Sequence, residues 1–363
     1  MRIAQISPLW ERIPPPGYGG IESVVSQLTD ELVRRGHEVT LFATGDSQTL
    51  ARLESVTPVA LRLQPKLKEP AAYEILQLSQ VLEQADNFDI LHFHTGFTVL
   101  PYTQFVKTPS VHTLHGTLTE ENRRVFHKYR DRFYISLSDA QSRLKPDLNY
   151  VRTVHNSIDI SQYPFHPKPQ TPPYLAFLGR MSPEKGPEQA IEVAKAVGMP
   201  LLMAGKVDVV DEEFFEYRVK PHIDGKQIQY FGELTHQEKA ELLGNATATL
   251  FSIQWNEPFG LVTIESMCTG TPVIAAHRGA VPEIITHGKT GFICNSIAEM
   301  VEAVSQVSQL DRQHCHDFVA RYFSVAAMVD KYEAAYKKVI DTTEREVQNG
   351  QGMVAEHRLI PVA

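Results

Sequence analysis

Residues 2–43 read "RIAQISPLWERIPPPGYGGIESVVSQLTDELVRRGHEVTLFA", and two kinds of hydrophobic pattern alternate within this stretch. The runs "RIAQIS" at its start and "EVTLFA" at its end are short and apolar, as in buried strands. Between them lies an amphipathic pattern of helical period that stops before Gly36, a typical helix end. Its apolar positions are Ile21, Val24, Val25, Leu28 and Leu32. A strand, a helix and a second strand in this order predict a βαβ unit, and therefore a parallel sheet.

The same alternation continues along the chain and is interrupted once. Strand-like runs in the first half are "DILHFH", "SVHTLH" and "FYISLS", and those in the second half are "YLAFLG", "PLLMAG", "IQYFGE", "ATLFS" and "PVIAA". Five prolines fall between residues 164 and 173, so we predict a domain boundary there, near residue 165. Two open α/β sheets in sequence predict a ligand cleft between the domains, at the carboxyl ends of the strands.

Composition limits the kind of ligand and the compartment. The chain has 363 residues, which suits two domains, and its 35 basic against 43 acidic side chains give a net charge of −8. Because no global positive field exists, nucleic acid is not expected as a partner, and any anion must be bound locally. The three cysteines lack metal-ligand spacing. With no signal peptide or membrane-spanning run in view, we expect a cytoplasmic protein without a transmembrane segment.

A glycine-rich loop, "PPPGYGGIE", follows the first strand and opens the first helix. Gly19 and Gly20 would let backbone amides approach an anion at the positive end of that helix. The dinucleotide fingerprint G-x-G-x-x-G is incomplete, because Glu22 stands near the place of its last glycine, and an oxidoreductase is disfavoured. Taken alone, the loop is equally compatible with a simple turn.

In the second half, "FLGRMSPEKG" places two cations just after a strand. Arg180 and Lys185 suit a diphosphate, with Ser182 as the expected N-cap and Pro183 as the first residue of a helix. The alternative is that both cations are ordinary surface charges. Their place at the expected cleft favours the diphosphate interpretation.

The stretch "NEPFGLVTIE", residues 256–265, joins a strand to a helix that ends at Gly270. The amides near its first turn would form an anion site, whereas Glu257 and Glu265 suit sugar hydroxyls on either side of a diphosphate. The alternatives are two solvated carboxylates, or an acid and base pair of the glycosidase kind.

Four histidines, His92, His94, His112 and His115, end two neighbouring strands. Their spacing shows no accompanying carboxylate or cysteine, so a metal site is not expected. We expect His92 and His94 to be buried and hydrogen-bonded. His115, followed by glycine at the end of its strand, is the better candidate for the cleft.

Together these motifs resemble glycosyltransferase family 4, retaining enzymes that use sugar nucleotides and have the two-domain GT-B fold. The resemblance is carried by "YGGIE", "HG" after "SVHTL", "GRMSPEKG", "EPFGLVTIE" and "GAVPEII..GKTGF", and it extends from residue 1 to about 340. It implies an α/β architecture of two Rossmann-like parallel-sheet domains facing a central cleft. The implied parts are residues 1–165 for the acceptor, 166–323 for the donor, a helix at about 324–341 that packs back on the first domain, and a tail, 342–363.

The resemblance also assigns roles to individual residues. Glu257 would contact the donor hexose, Glu265 its ribose, and Gly232 to Leu234 its nucleobase. His115 would lie near the reacting sugar carbon, so it joins Glu257, Arg180 and Lys185 as a catalytic candidate. The remaining donor contacts would be the loop of Gly19 and Gly20 and the backbone of Phe259, Gly260, Leu261 and Val262.

The implied reaction is metal-independent transfer of a hexosyl unit, with retention, from a UDP- or GDP-linked sugar to a hydroxyl acceptor. No cofactor is expected beyond the donor substrate itself. The acceptor is a small molecule, a glycan or a lipid-linked compound. A basic stretch, "EENRRVFHKYRDR", leaves contact with an acceptor phosphate or a membrane surface open, although the acidic residues among its basic ones favour a solvated helix. A nucleotide-sugar epimerase and a binding protein without turnover are the alternative functions.

Overall fold

The computed structural model describes residues 1–17, 19–116 and 118–349, and it contains two parallel sheets. The first sheet has seven strands in the order β3-β2-β1-β4-β5-β6-β7, and the second has six in the order β10-β9-β8-β11-β12-β13. Every strand pairing is parallel. In both sheets the order reverses beside the first strand of the domain, which is where open α/β sheets bind ligands.

The strands and helices have the following bounds. The first domain contains β1 (Arg2–Ile6), α1 (Gly20–Arg34), β2 (Glu38–Phe42), β3 (Arg52–Glu54), α2 (Pro70–Glu83), β4 (Ile90–Phe93), β5 (Ser110–Thr113), α3 (Glu120–Lys128), β6 (Phe133–Ser136), α4 (Asp139–Arg143) and β7 (Tyr150–Thr153). The second contains β8 (Leu175–Leu178), α5 (Pro187–Val197), β9 (Leu201–Ala204), α6 (Glu212–Phe214), β10 (Ile228–Tyr230), α7 (His236–Gly244), β11 (Ala248–Phe251), α8 (Leu261–Cys268), β12 (Val273–Ala276), α9 (Val281–Ile284), β13 (Gly291–Cys294), α10 (Ile297–Gln306) and α11 (Arg312–Tyr322). The last helix is α12 (Val325–Gln348).

The parallel sheets predicted from alternating patterns are confirmed, but three strands were not expected from the sequence. These strands, β3, β7 and β13, all lie at the edges of the two sheets. An edge strand has one hydrogen-bonded neighbour and faces solvent along its other side, so it needs fewer consecutive apolar residues. The run in β7, "YVRT", has no fully buried residue, which explains why its apolar signal is weak.

The chain crosses between the domains twice. Near the first crossing, the backbone amide of Ile158 donates to the carbonyl of Phe323, 3.1 Å away, where the chain returns. After that return, α12 packs on the first domain, and the shared core contains Met328, Val329 and Tyr332 beside Ile3 and Leu28. The helix continues to Gln348, further than the expected end near residue 341. The part of the expected tail from 350 to 363 lies outside the described residues.

Within the described ranges, no helix is both long enough and apolar enough to cross a membrane. All three cysteines, Cys268, Cys294 and Cys315, are buried free thiols. Burial raises the pKa of the Cys268 thiol to about 12. These cysteines are therefore ordinary core residues.

Candidate active site

The glycine loop of the first domain lies directly against the second domain. A Cβ atom on Gly20 would come 3.0 Å from Leu261 Cδ1, and one on Gly17 would come 3.1 Å from the carbonyl oxygen of Leu234. Lys239 Nζ also donates to the carbonyl of Gly17 at 3.4 Å. The structure thus brings this loop to the start of α8, and a Cβ atom at Gly20 would require the Leu261 side chain to move by a few tenths of an ångström.

The backbone at the start of α8 is fixed by a glycine in an unusual conformation. Gly260, the N-cap, has φ of 93°, and a Cβ there would lie 2.7 Å from the ring of Phe251. Phe259, the residue before Gly260, is buried and so anchors this part of the loop in the core. The free amides at the start of α8 therefore lie at the carboxyl end of β11 and favour an anion.

Glu257 accepts two hydrogen bonds from neighbouring side chains. Its donors are Lys185 Nζ and, at 2.9 Å, Trp255 Nε1. The ammonium group of Lys185 also lies 5.1 Å from the centre of the Trp255 ring. A cavity of about 260 Å³ adjoins Glu257 and is closed on its other side by α4 residues, including Gln141. The carboxylate is thus held rigidly beside a space that lies between the domains.

Glu265 has a separate set of partners. The hydroxyl of Tyr163, from the segment that links the domains, donates to its carboxylate at 2.8 Å. Burial, together with the Glu265 charge, raises the pKa of Tyr163, so this hydroxyl keeps its proton and remains a donor. Lys239 Nζ lies 3.7 Å from the same carboxylate. Because Lys239 also contacts Gly17, it connects the glycine loop to Glu265.

Arg180 lies among three carboxylates, which sequence reasoning did not predict. It pairs with Glu184, lies 3.2 Å from Asp208 and is 3.3 Å from Asp211. Lys206 Nζ is 2.7 Å from the same Asp208. A diphosphate at Arg180 must therefore compete with acidic side chains, whereas the single partner carboxylate of Lys185 is itself a candidate sugar contact.

The expected helix start after Arg180 was wrong in detail. Residues Pro183–Lys185 form one 3-10 turn, and α5 begins only at Pro187. The side chain of Ser182 caps nothing, and its buried hydroxyl has no partner. The reason is Gly186, which has φ of 73° and would overlap the carbonyl of Ser252 if it carried a Cβ. This left-handed residue ends the turn and restarts the helix.

His115 lies just beyond the end of β5 and is hydrogen-bonded to His94. The distance from His115 Nε2 to His94 Nδ1 is 2.8 Å. Burial lowers the pKa of His115 to about 4 and holds that of His94 well below its usual value. His92 is likewise buried and hydrogen-bonded, as expected. Near neutral pH, His115 is therefore an uncharged imidazole, with one ring nitrogen that donates a hydrogen bond and one that accepts.

The loop after β10 holds the two residues assigned to the nucleobase. Gly232 accepts from the amide of Gly205 at 2.8 Å, which ties the ends of β9 and β10 together. Glu233, between the two assigned residues, pairs with Arg62 of the first domain at 3.3 Å. The loop carrying Gly232 and Leu234 is thus part of the cleft wall.

Across the described residues, no group of three or more histidine, cysteine, aspartate or glutamate side chains is arranged to hold a metal ion. Lys239, Trp255 and Tyr163 are the site residues that sequence reasoning missed. Each lies in an ordinary helix or loop pattern, and only the fold brings it to a carboxylate.

Two parallel-sheet domains with a helix start at their shared cleft form a two-domain α/β architecture whose cleft suits an anionic ligand. The model for glycosyl transferases group 1 matches residues 161–321, and that for glycosyltransferase family 4 matches residues 18–144. The two matched segments together span most of the chain.

Similar proteins agree with these matches. The glycogen synthase of Mycobacterium tuberculosis (strain ATCC 25618 / H37Rv) is 25% identical over 85% of this chain and 86% of its own. The structure of a glycosyltransferase involved in avilamycin A biosynthesis has a TM-score of 0.71 at 24% identity, covering 94% of this chain and 98% of that chain. Anabaena HepE, in complex with UDP and glucose, has a TM-score of 0.72 at 16% identity, covering 93% and 100%.

The chain belongs to the family 4 type of glycosyltransferases and has the GT-B fold. It is a hexosyltransferase that uses a sugar-nucleotide donor.

Proposed function

We propose that the protein transfers a hexosyl unit from a nucleoside-diphosphate sugar to an acceptor hydroxyl, with retention and without a divalent metal. One observation carries this proposal. Glu257 and Glu265 lie on either side of the start of α8, and each is paired with a lysine, Lys185 or Lys239. Acceptors for sugar hydroxyls and donors for phosphate therefore alternate along one wall of the cleft, in the order that a nucleotide sugar requires.

The donor would lie along this wall with its ribose at Glu265 and its hexose at Glu257. Glu265 holds the ribose, the amides of Leu261 and Val262 hold the diphosphate with Lys185, and Glu257 holds the hexose. The cavity of about 260 Å³ beside Glu257 supplies space for that hexose. UDP is the first nucleotide to test, because HepE, with the same fold, has been solved with UDP and glucose.

Charge on the leaving diphosphate would be stabilised by protein groups in this scheme. As the bond between the sugar and phosphate oxygen breaks, negative charge grows where Lys185, Arg180 and the α8 amides converge. His115 remains neutral and contacts a hydroxyl of the transferred sugar. Retention follows if the departing phosphate accepts the proton of the acceptor on the same face. We expect transfer to persist in excess EDTA, whereas complete loss that Mg²⁺ restores would contradict the metal-independent scheme.

The acceptor would bind to the first domain, where an apolar cavity of about 420 Å³ opens at the carboxyl ends of β1 and β4. Its walls include Ile6, Leu9, Phe93 and Phe97, so an acceptor with an alkyl or aromatic portion fits better than a free sugar. Thr95 in the same wall follows His94, which places the cavity beside the histidines. Matched free sugars and octyl or phenyl glycosides test this preference, and equal KM values for both would contradict it.

Donor binding can be measured before any acceptor is known. The melting temperature of the native chain should be measured with UDP, GDP and ADP. We expect one of these nucleotides to raise it by a few degrees. Glu265→Ala should lose that shift, while Glu302→Ala, on the exposed face of α10, should keep it. No shift with any nucleotide would contradict the donor site.

Turnover separates the transferase from the alternatives. With the nucleotide that binds, NMR of the products should show a new glycoside with the anomeric configuration of the donor. Conversion of the sugar without any acceptor would indicate an epimerase, and binding without either product would indicate a protein that does not turn over.

A further inference from the structure

A buried chain of hydrogen bonds leads from His115 to the last helix of the protein. His115 bonds to His94, the other ring nitrogen of His94 lies 2.9 Å from Gln5 Oε1, and Gln5 Nε2 donates to the hydroxyl of Tyr336 at 2.8 Å. Gln5 lies near the carboxyl end of β1, whereas Tyr336 lies in α12. His94, Gln5 and Tyr336 are all buried, so water does not replace any of these partners.

The side-chain amide of Gln5 determines which atom donates and which accepts in each of these hydrogen bonds. Because Gln5 Nε2 donates to Tyr336, its oxygen faces His94 and can only accept. Burial keeps the pKa of His94 well below its usual value, so its ring is neutral and carries one hydrogen. That hydrogen must lie on Nε2 to reach the Gln5 oxygen, which leaves Nδ1 of His94 as an acceptor. His115 must then donate to it from Nε2.

We propose that Gln5 and Tyr336 are positioning residues that hold His115 in its Nε2–H tautomer, with the Nδ1 lone pair free to accept from a sugar hydroxyl. The first part stands on the hydrogen-bond geometry together with the burial of His94, and the second rests on the proposed function. Neither Gln5 nor Tyr336 touches a substrate. Their contribution reaches the cleft only through His94.

These hydrogen bonds also give α12, the helix that returns to the first domain, a chemical role. Most of α12 contributes apolar side chains to the first-domain core. Tyr336 is different, because its hydroxyl accepts from Gln5 and lies 2.7 Å from His92 Nδ1. Removing this hydroxyl leaves the Gln5 amide free to turn over, and a reversed amide would impose the opposite tautomer on both His94 and His115.

The tautomer can be measured directly by correlating ¹⁵N and ¹H signals of the imidazole rings in protein labelled at histidine. A His115→Gln variant identifies the His115 signals. In the native chain we expect the hydrogen of His115 on Nε2. In Tyr336→Phe and Gln5→Met, which keep side-chain volume, we expect its two nitrogen shifts to move towards each other as tautomers mix.

Tyr332→Phe is the matched control. Tyr332 lies one turn before Tyr336 in the same helix, it is equally buried, and its hydroxyl contacts Thr113 Oγ1 at 3.2 Å. Its removal deletes the same atom from the same core and leaves the bond between Tyr336 and Gln5 in place, because the Tyr332 hydroxyl is connected to that of Tyr336 through Thr113 and His92 rather than directly. We expect native His115 shifts in this variant.

Kinetics give the second readout. Tyr336→Phe and Gln5→Met should lower kcat about tenfold, the effect of one misplaced hydrogen bond, while the donor KM stays within about twofold. Tyr332→Phe should keep the native kcat. A general loss of stability would instead affect both tyrosine variants alike.

The outcomes separate this inference from the proposed function. A hydrogen on Nδ1 of His115 in the native chain, or shifts that Tyr336→Phe leaves unchanged, would overturn the inference even if the enzyme transfers sugar normally. An Nε2 hydrogen in a protein that turns over no sugar nucleotide would support the positioning role and contradict the proposed function.

Discussion

The two walls of the cleft differ in the kind of polar group that they present. On the second-domain wall, Lys185 and Glu257 are charged and paired, and Arg180 lies among three acids. On the first-domain wall, His115 and His94 are neutral, and the neighbouring cavity is mostly apolar. A charged wall suits a nucleoside diphosphate, whereas a neutral wall suits the uncharged sugar and the acceptor. This difference in electrostatics is consistent with the proposed division into a donor side and an acceptor side.

The largest effect should come from removing one charge on the donor wall. Glu257→Gln keeps the size of the side chain but weakens its bonds to Lys185 and Trp255, so the hexose and the lysine both lose their position. We expect kcat to fall about 100-fold.

The control for this substitution is Glu188→Gln, and steady-state kinetics of both variants should be compared with those of the native chain. Glu188 forms a comparable pair with Arg218 at 2.8 Å on the outer surface of the second domain. A loss of less than threefold for Glu257→Gln would mean that the charged wall does not contact the reacting sugar.

The glycines that follow Lys185 and His115 sharpen the comparison between the walls. An Ala at Gly186 would adopt a left-handed conformation and overlap the carbonyl of Ser252, whereas a Cβ on Gly116 meets nothing within 4 Å. We expect Gly186→Ala to lower the free energy of unfolding by about 3 kcal/mol and Gly116→Ala by less than about 0.5 kcal/mol, measured by urea denaturation. Equal costs would show that the donor loop is not packed as rigidly as its contacts indicate.

A buried acid beneath the glycine loop should give the first-domain wall a pH dependence. Burial is the main cause that raises the pKa of Glu22 to about 7, with the Glu11 charge adding to it and Lys206 opposing it. Because the folded state binds this proton more tightly than the unfolded state, Glu22 lowers stability as pH rises from about 4.5 to 7.

Glu22→Gln removes this titration and keeps the shape. The variant should gain stability relative to the native chain over the same pH range, by about 1–3 kcal/mol at pH 8, as measured by urea denaturation at each pH. A difference that does not change with pH would mean that Glu22 titrates normally.

Ionic strength should give the smallest effect, and it tests both walls at once. Salt screens the exposed part of the charged wall, so the donor KM should rise about threefold between roughly 0.05 and 0.5 M NaCl. The KM for an uncharged aryl glycoside should change by less than about 1.5-fold in the same series. Parallel changes in both constants would remove the electrostatic distinction between the walls.

Sequence reasoning was most successful where local patterns decide the structure. Apolar runs and helical periods predicted both parallel sheets, because burial imposes those patterns residue by residue. It failed for three of the edge strands and for the helix start at Ser182. Weak burial explains the missed strands β3 and β7, whereas β13 is mostly buried and its apolar run is only four residues long. The helix start was missed because of a contact between Gly186 and Ser252, which are far apart in the chain.

The sequence by itself determined the architecture, the position of the cleft and the residues placed after strands, such as Lys185, Glu257 and His115. These follow from short-range periodicity and from the rule that parallel strands end at one edge. Only the tertiary structure decided which partners those residues have. Lys239 reaches Glu265, and Tyr336 reaches Gln5, across long separations along the chain. Pairing of this kind leaves no periodic signal, because it depends on how whole helices pack.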